Sequence, residues 1–266
     1  MNEDVVLRVD GLHIAYPEEE VKIQDISFSV RRGSVFGLAG ESGSGKSSVC
    51  KAILGLLKNR TSKLSGSIRF CGQELMGLSE ERHRLINGKE IGYMMQNPMT
   101  AFDPCMKIGS HFCETIRAHL PCSRQDAFYM GAEMLRRVGL FDTDRIMNSY
   151  PGSLSGGMLQ RVMLAIAISM NPVLIIADEP TTALDVQSCE TVLKLLSFVM
   201  CEYRPAMLLV SHDMNVMEKM AEHVAVMYRG RIVETGMVNK VLQHPRHEYT
   251  CRLIEASRYR WEEGRC

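Results

Sequence analysis

Apolar residues recur at every second position twice near the start of the chain, at Val5, Leu7 and Val9 and again at Ile26, Phe28 and Val30. A period of two predicts strands with one buried face. Arg31-Arg32-Gly33 closes the second. Short unbroken apolar runs follow at Val35–Ala39, Ile91–Met95, Val173–Ala177 and Ala206–Val210. Such runs predict strands covered on both faces, and the run at 173–177 reads as a central parallel strand. Leu64–Phe70 reads as a further strand entered by a turn, and Val224–Tyr228 with Arg231–Glu234 as a hairpin around Arg229-Gly230. Helical spacing takes over elsewhere. It follows the first apolar run (Val49, Ala52, Ile53, Leu56) and dominates from about 100 to 154, through Ile108, Phe112, Ile116 and then Ala127, Met130, Met134, Leu135 and Val138. Ser155 caps a helix through Met163, Ile166 and Ala167, which Asn171-Pro172 ends. The pattern is α/β: buried strands, an antiparallel N-terminal part, a helical insertion and a partly helical, polar tail.

The chain has 266 residues, enough for one to two domains with a sizeable core. Lys plus Arg equals Asp plus Glu at 31 each, so no overall basic excess points to a nucleic-acid partner. The nine cysteines include no C-x-x-C pair, which predicts reduced thiols in a cytosolic protein. Residues 1–10 carry acids and lack the apolar core of a signal peptide. No run reaches the roughly 18 apolar residues of a membrane span, since Asn171-Pro172 interrupts 162–177. The expectation is a soluble protein able to dock on a membrane partner.

The strongest chemical signal is Gly40-Glu41-Ser42-Gly43-Ser44-Gly45-Lys46-Ser47, followed by Ser48, between a buried strand and a helix. It fits G-x-x-x-x-G-K-[ST], in which glycines let the backbone close on phosphate oxygens. Its N–H groups form a nest at the positive end of a helix. Lys46 would reach the β- and γ-phosphates, and Ser47 would offer its hydroxyl to Mg²⁺. Asp178 and Glu179 end a buried run, where Asp178 would hold Mg²⁺ and Glu179 would polarise the attacking water. His212 follows another buried run and can donate to a γ-phosphate oxygen. Gln96 stands at a strand end, as a ligand of Mg²⁺, an orienter of water or a plain turn residue. Tyr16 is either a platform for adenine or a surface aromatic. Gly156 and Gly157 after Ser155 mark either a close approach to an anion or a loose helix start. His111, Cys113, His119 and Cys122 lie close in sequence, but their spacing matches no structural zinc pattern.

Taken in order, GESGSGKS, Gln96, LSGGM, IIADEP, Ala183-Leu184-Asp185 and His212 resemble the ATP-binding cassette family of ATPases over nearly the whole chain. The resemblance implies a P-loop NTPase, RecA-like core with a mixed or parallel sheet. It also implies an N-terminal antiparallel β subdomain and an inserted helical subdomain. On that basis residues 1–98 and 155–235 form the core, 99–154 the helical subdomain and 236–266 the tail. It implies a head-to-tail dimer holding ATP and Mg²⁺ between the phosphate loop of one subunit and the Ser155-Gly156-Gly157 turn of the other, with Asp185 among the binding residues. Met158 departs from the commonest signature, which has glutamine there. The QNP and GGMLQR forms, with IIADEPTT and MLLVSHDM, resemble ATPase subunits of the dipeptide, oligopeptide and nickel importers, most closely the nickel-import subunit. The partners implied are a second ATPase subunit, making a heterodimer or a homodimer, two transmembrane permeases and an extracytoplasmic solute-binding protein. The location implied is peripheral, on the cytoplasmic face of the cell membrane. Two other readings compete: a cassette ATPase outside transport, and a metal-binding regulatory module built on the histidines and cysteines.

Overall fold

The computed structural model describes residues 4–16, 23–57, 63–182 and 186–262. Strands β1 (Val5–Ala15) and β2 (Ile23–Arg31) come first, then β3 (Val35–Ala39) and helix α1 (Lys46–Ile53). β4 (Lys63–Phe70), β5 (Gln73–Glu74), α2 (Glu80–Ile86) and β6 (Ile91–Met94) follow. The next stretch is helical: α3 (Pro98–Ala101), α4 (Ile108–His119), α5 (Arg124–Arg137), α6 (Thr143–Asn148), a 3-10 turn at Pro151–Ser153 and α7 (Gly156–Ile168). β7 (Leu174–Asp178), α8 (Val186–Tyr203), β8 (Ala206–Ser211), α9 (Met214–Met220), β9 (His223–Tyr228) and β10 (Arg231–Met237) then lead to α10 (Val238–Gln243) and α11 (Glu248–Glu262).

The strands form two sheets. One is antiparallel, in the order β2-β1-β4-β5. The other runs β10-β9-β3-β8-β7-β6, parallel throughout except for the β9–β10 hairpin. The unbroken apolar runs have a simple cause. In β7, Ile175 and Ala177 enter the core shared with the helical stretch and α8, whereas Leu174 and Ile176 enter the core shared with β1, β2 and α1. Both faces are covered, so both must be apolar. β7 is an interior strand between β8 and β6, not the middle of the sheet, which falls at β3 and β8. The edge strand β6 is an apolar run too, with Ile91 and Met94 fully buried, so apolarity alone does not give sheet position.

Because β3, β8, β7 and β6 are parallel, their carboxyl ends deliver Gly40, His212, Glu179 and Gln96 to one edge, the place where open α/β sheets bind ligands. Cys50, Cys71, Cys105, Cys113, Cys122, Cys201 and Cys251 are free thiols.

Candidate functional site

β3 turns into α1 through a backbone that only glycine accommodates easily. Gly40 has φ +152°, and a Cβ there would sit 2.2 Å from the carbonyl oxygen of Met227. Gly45 has φ +107° and caps α1 with no side-chain hydrogen bond. A helix N-terminus without a cap leaves N–H donors for an anion. A cleft of about 200 Å³ opens there, lined by Tyr16, Ile23, Ser42, Gly43, Gly45, Lys46, Ser47, Ser48, Gln96 and Glu179. Tyr16 borders it and donates its hydroxyl to Ser48 Oγ at 3.1 Å. A larger groove of about 720 Å³ lies along β10 and α10, lined by residues such as Glu234, Lys240 and His244. It contains none of these converging groups, and convergence identifies the site better than size does.

Lys46 is 4 % exposed. Its Nζ donates to the carbonyls of Gly40 (2.6 Å) and Glu41 (2.8 Å) and lies 3.5 Å from Glu179 Oε1. Burial lowers its pKa, and the Glu179 charge opposes that shift. Asp178 accepts from Ser47 Oγ at 3.1 Å on Oδ1 and from Tyr93 Oη at 3.3 Å on Oδ2. Burial raises its pKa despite these donors. Glu179 is the hub. Its backbone has φ +48°, and its N–H is tied to the Val210 carbonyl at 2.9 Å. Its Oε2 meets Gln96 Nε2 (3.3 Å), Thr182 Oγ1 (2.6 Å) and His212 Nδ1 (3.1 Å). Burial pushes its carboxyl up, but the hydrogen bonds of His212 and Thr182, with the charges of His212 and Lys46, win and hold it down at about 2.

The structure thus brings Tyr16, Lys46, Ser47, Gln96, Asp178, Glu179 and His212 together. Glu41 is in the loop, but its N–H is engaged by the Tyr249 hydroxyl at 2.7 Å. Ser44 is buried under the loop, and its Oγ has no partner among the described residues. Ser155, Gly156 and Gly157 do not join this cluster. Ser155 caps α7 by accepting from Met158 N, and a Cβ on either glycine would meet nothing within 4 Å. Asp185 lies outside the described residues. Among those residues, no three His, Cys, Asp or Glu side chains converge as a metal set. The uncapped α1, the buried lysine and the cleft fit a polyphosphate. Ser47 Oγ, Asp178 and the Gln96 amide oxygen would offer all-oxygen donors, the type suited to a hard cation such as Mg²⁺.

Sequence reasoning missed Tyr93 and Thr182. Both contact the acids only because β6 lies beside β7 and because the turn after Glu179 folds back. The one signal for Thr182 was its place within DEPTT, three residues after Glu179.

The model of the ABC transporter family matches residues 23–182. The metal-staphylopine import system ATP-binding protein CntD of Staphylococcus aureus (strain Mu50 / ATCC 700699) is 41% identical over 236 residues, covering 89% of this chain and 87% of the relative. The dipeptide transport ATP-binding protein DppD of Escherichia coli (strain K12) is 38% identical over 254 residues, covering 94% and 78%. The dimeric structure of MJ0796, a bacterial ABC transporter cassette, superposes with a TM-score of 0.76 at 25% identity, covering 87% of this chain and 98% of that one. With these likenesses added to the lysine-bearing loop and the paired acids, the chain belongs to the ABC transporter family and is an ATP-binding cassette with ATPase activity.

Proposed function

We propose that this chain is the ATPase subunit of an importer, and that MgATP binds across two cassettes, between the phosphate loop of one and the Ser155 turn of the other. The observation that carries the two-cassette reading is the state of Ser155-Gly156-Gly157. The turn is exposed or half-exposed at the head of α7, and its two glycines make no close approach within their own chain. Glycine at two helical positions costs roughly 1 kcal/mol each relative to alanine. A facing nucleotide gives that cost a purpose. That the similar MJ0796 cassette is dimeric supports a pair of cassettes.

Within one half-site, Tyr16 stacks on the adenine and the loop N–H groups hold phosphate. Ser47, Asp178 and Gln96 would hold Mg²⁺, which when bound neutralises phosphate charge. Glu179 orients and deprotonates the attacking water, and His212 donates to the γ-phosphate. A carboxyl held at about 2 is a weak base. Once Lys46 turns from Glu179 to the phosphates, one of the charges holding that carboxyl down is withdrawn. In the resting arrangement Glu179 is therefore poised but restrained.

A groove of about 170 Å³ between the end of β6 and helices α4 and α7 is lined by Tyr93, Met95, Phe102, His111 and Met163 among others. A cytoplasmic helix of a permease docks there, one residue from Gln96. No described helix is long and apolar enough to cross a membrane. On the resemblance to importer ATPases, the channel belongs to separate permease subunits, with a solute-binding protein outside and this chain on the cytoplasmic face. A second, similar ATPase completes the dimer; a homodimer is the alternative. We take nickel as the cargo on the resemblance of the QNP and GGMLQR forms to the nickel-import subunit, with dipeptide as the second reading. The likeness to the ATP-binding protein of the metal-staphylopine import system supports a metal cargo in general, and that to DppD a dipeptide. Uptake of ⁶³Ni and of labelled dipeptide in cells with and without this chain decides between them. Loss of nickel uptake alone supports the first, loss of dipeptide uptake alone the second, and loss of neither contradicts both.

A further inference from the structure

The C-terminal helix touches both catalytic loops. Tyr249, in the first turn of α11, is 1 % exposed, and its ring stacks on Tyr228 with centroids 4.2 Å apart. Its hydroxyl accepts from the Glu41 N–H at 2.7 Å, and the carbonyl of Glu41 accepts from Lys46 Nζ at 2.8 Å. One residue of the phosphate loop is thus held by α11 on one side and by the site lysine on the other. Eight residues on, about 12 Å along the helix, Ser257 is also 1 % exposed. Its Oγ accepts from Met214 N at 3.0 Å, and its carbonyl accepts from Asn215 Nδ2 at 2.9 Å. Met214 and Asn215 directly follow His212-Asp213. The start of α11 is itself fixed. Glu234 of β10 accepts from Arg246 N (2.9 Å) and His247 N (3.1 Å), and His247 Nδ1 accepts from Tyr249 N (3.1 Å).

We propose that α11 is a brace of the nucleotide site, with Tyr249 positioning the phosphate loop and Ser257 positioning the loop that carries His212. This rests on the roles given above to Lys46 and His212. A part-buried N–H such as that of Glu41, deprived of its acceptor, costs about 1–2 kcal/mol, and every 1.4 kcal/mol is tenfold in affinity. Tyr249→Phe keeps the ring stack and removes only the acceptor. Ser257→Ala frees Met214 N and leaves the phosphate loop alone.

The test is equilibrium binding of fluorescent MgADP and steady-state ATPase kinetics on the full-length chain in its transporter assembly. Tyr249→Phe is expected to weaken MgADP about 5- to 30-fold and raise KM similarly, with kcat within threefold. Ser257→Ala is expected to lower kcat about 3- to 10-fold, with MgADP affinity within twofold. If the helix were only packing, both variants would lower Tm and leave this split between KM and kcat absent, and that result overturns the proposal. Wild-type binding with Lys46→Ala unable to bind, yet Tyr249→Phe binding like wild type, also overturns it. Wild type failing to bind MgADP would instead sink the nucleotide-site reading itself. Should Tyr249→Phe not fold, amide hydrogen exchange in the wild type decides. A protected Glu41 N–H supports the brace, and exchange at the rate of an open loop overturns it.

Discussion

At the scale of single residues the site turns on Glu179, which meets Gln96, Thr182 and His212 on one oxygen and Lys46 on the other. Glu179→Gln keeps the shape of that hub while removing the proposed base. We expect it to bind ATP within threefold of wild type and to lose about 10²- to 10⁴-fold in turnover, the range for removing a general base. Normal hydrolysis in this variant would contradict the assignment. The same carboxyl predicts a pH effect. Its pKa falls from the ordinary 4.5 to about 2 on folding, so the stability it contributes is complete above about 4.5 and is lost as pH falls towards 2. The difference in Tm between wild type and Glu179→Gln should shrink across that window, as followed by circular dichroism; a difference independent of pH would contradict it. Asp178 works in the opposite sense, because burial disfavours its charged form. The two acids were legible in the sequence, since an Asp-Glu pair ending a fully apolar run has few other uses. Tyr93 was not, because nothing local to β6 says that its hydroxyl crosses to the neighbouring strand.

At the scale of elements, the turn from β3 into α1 shows sequence and structure in closest agreement. Gly40 has no room for a side chain against the Met227 carbonyl, and its φ is outside the range of L residues. Gly40→Ala should cost about 1–3 kcal/mol of stability and weaken nucleotide binding at least tenfold, read by thermal melting and ADP titration. An unchanged melting curve would show that the turn relaxes freely. The helical stretch between β6 and β7 was legible from its spacing, because amphipathic helices repeat their apolar face locally. The place of β7 in the sheet was not, since apolar runs report burial and say nothing of neighbours. The tail read only as polar and partly helical. Its two buried anchors, Tyr249 and Ser257, face partners more than 200 and 40 residues away in the chain, as the separations of 208 and 43 show. Such pairings carry no local pattern.

At the scale of the whole molecule, one chain holds the phosphate loop, the acids and His212 at one sheet edge, but keeps the Ser155 turn apart from them. The fold class and the ATPase activity could be read from the ordered motifs alone, because each motif fixes a backbone shape as well as a side chain. The cargo could not, because relatives about as similar as each other belong to systems that import different cargoes. Lys46→Ala should abolish nucleotide binding and with it uptake of the cargo in cells; unaffected uptake would remove the central site. The most direct measurement of the two-cassette claim is the ATPase rate and ATP affinity of the intact assembly carrying Ser155→Arg. Ser155 lies outside the cleft of its own chain, so we predict turnover reduced about 10²-fold, the scale for losing one aligned donor, with ATP still held by the phosphate loop. Turnover at the wild-type rate would contradict the account.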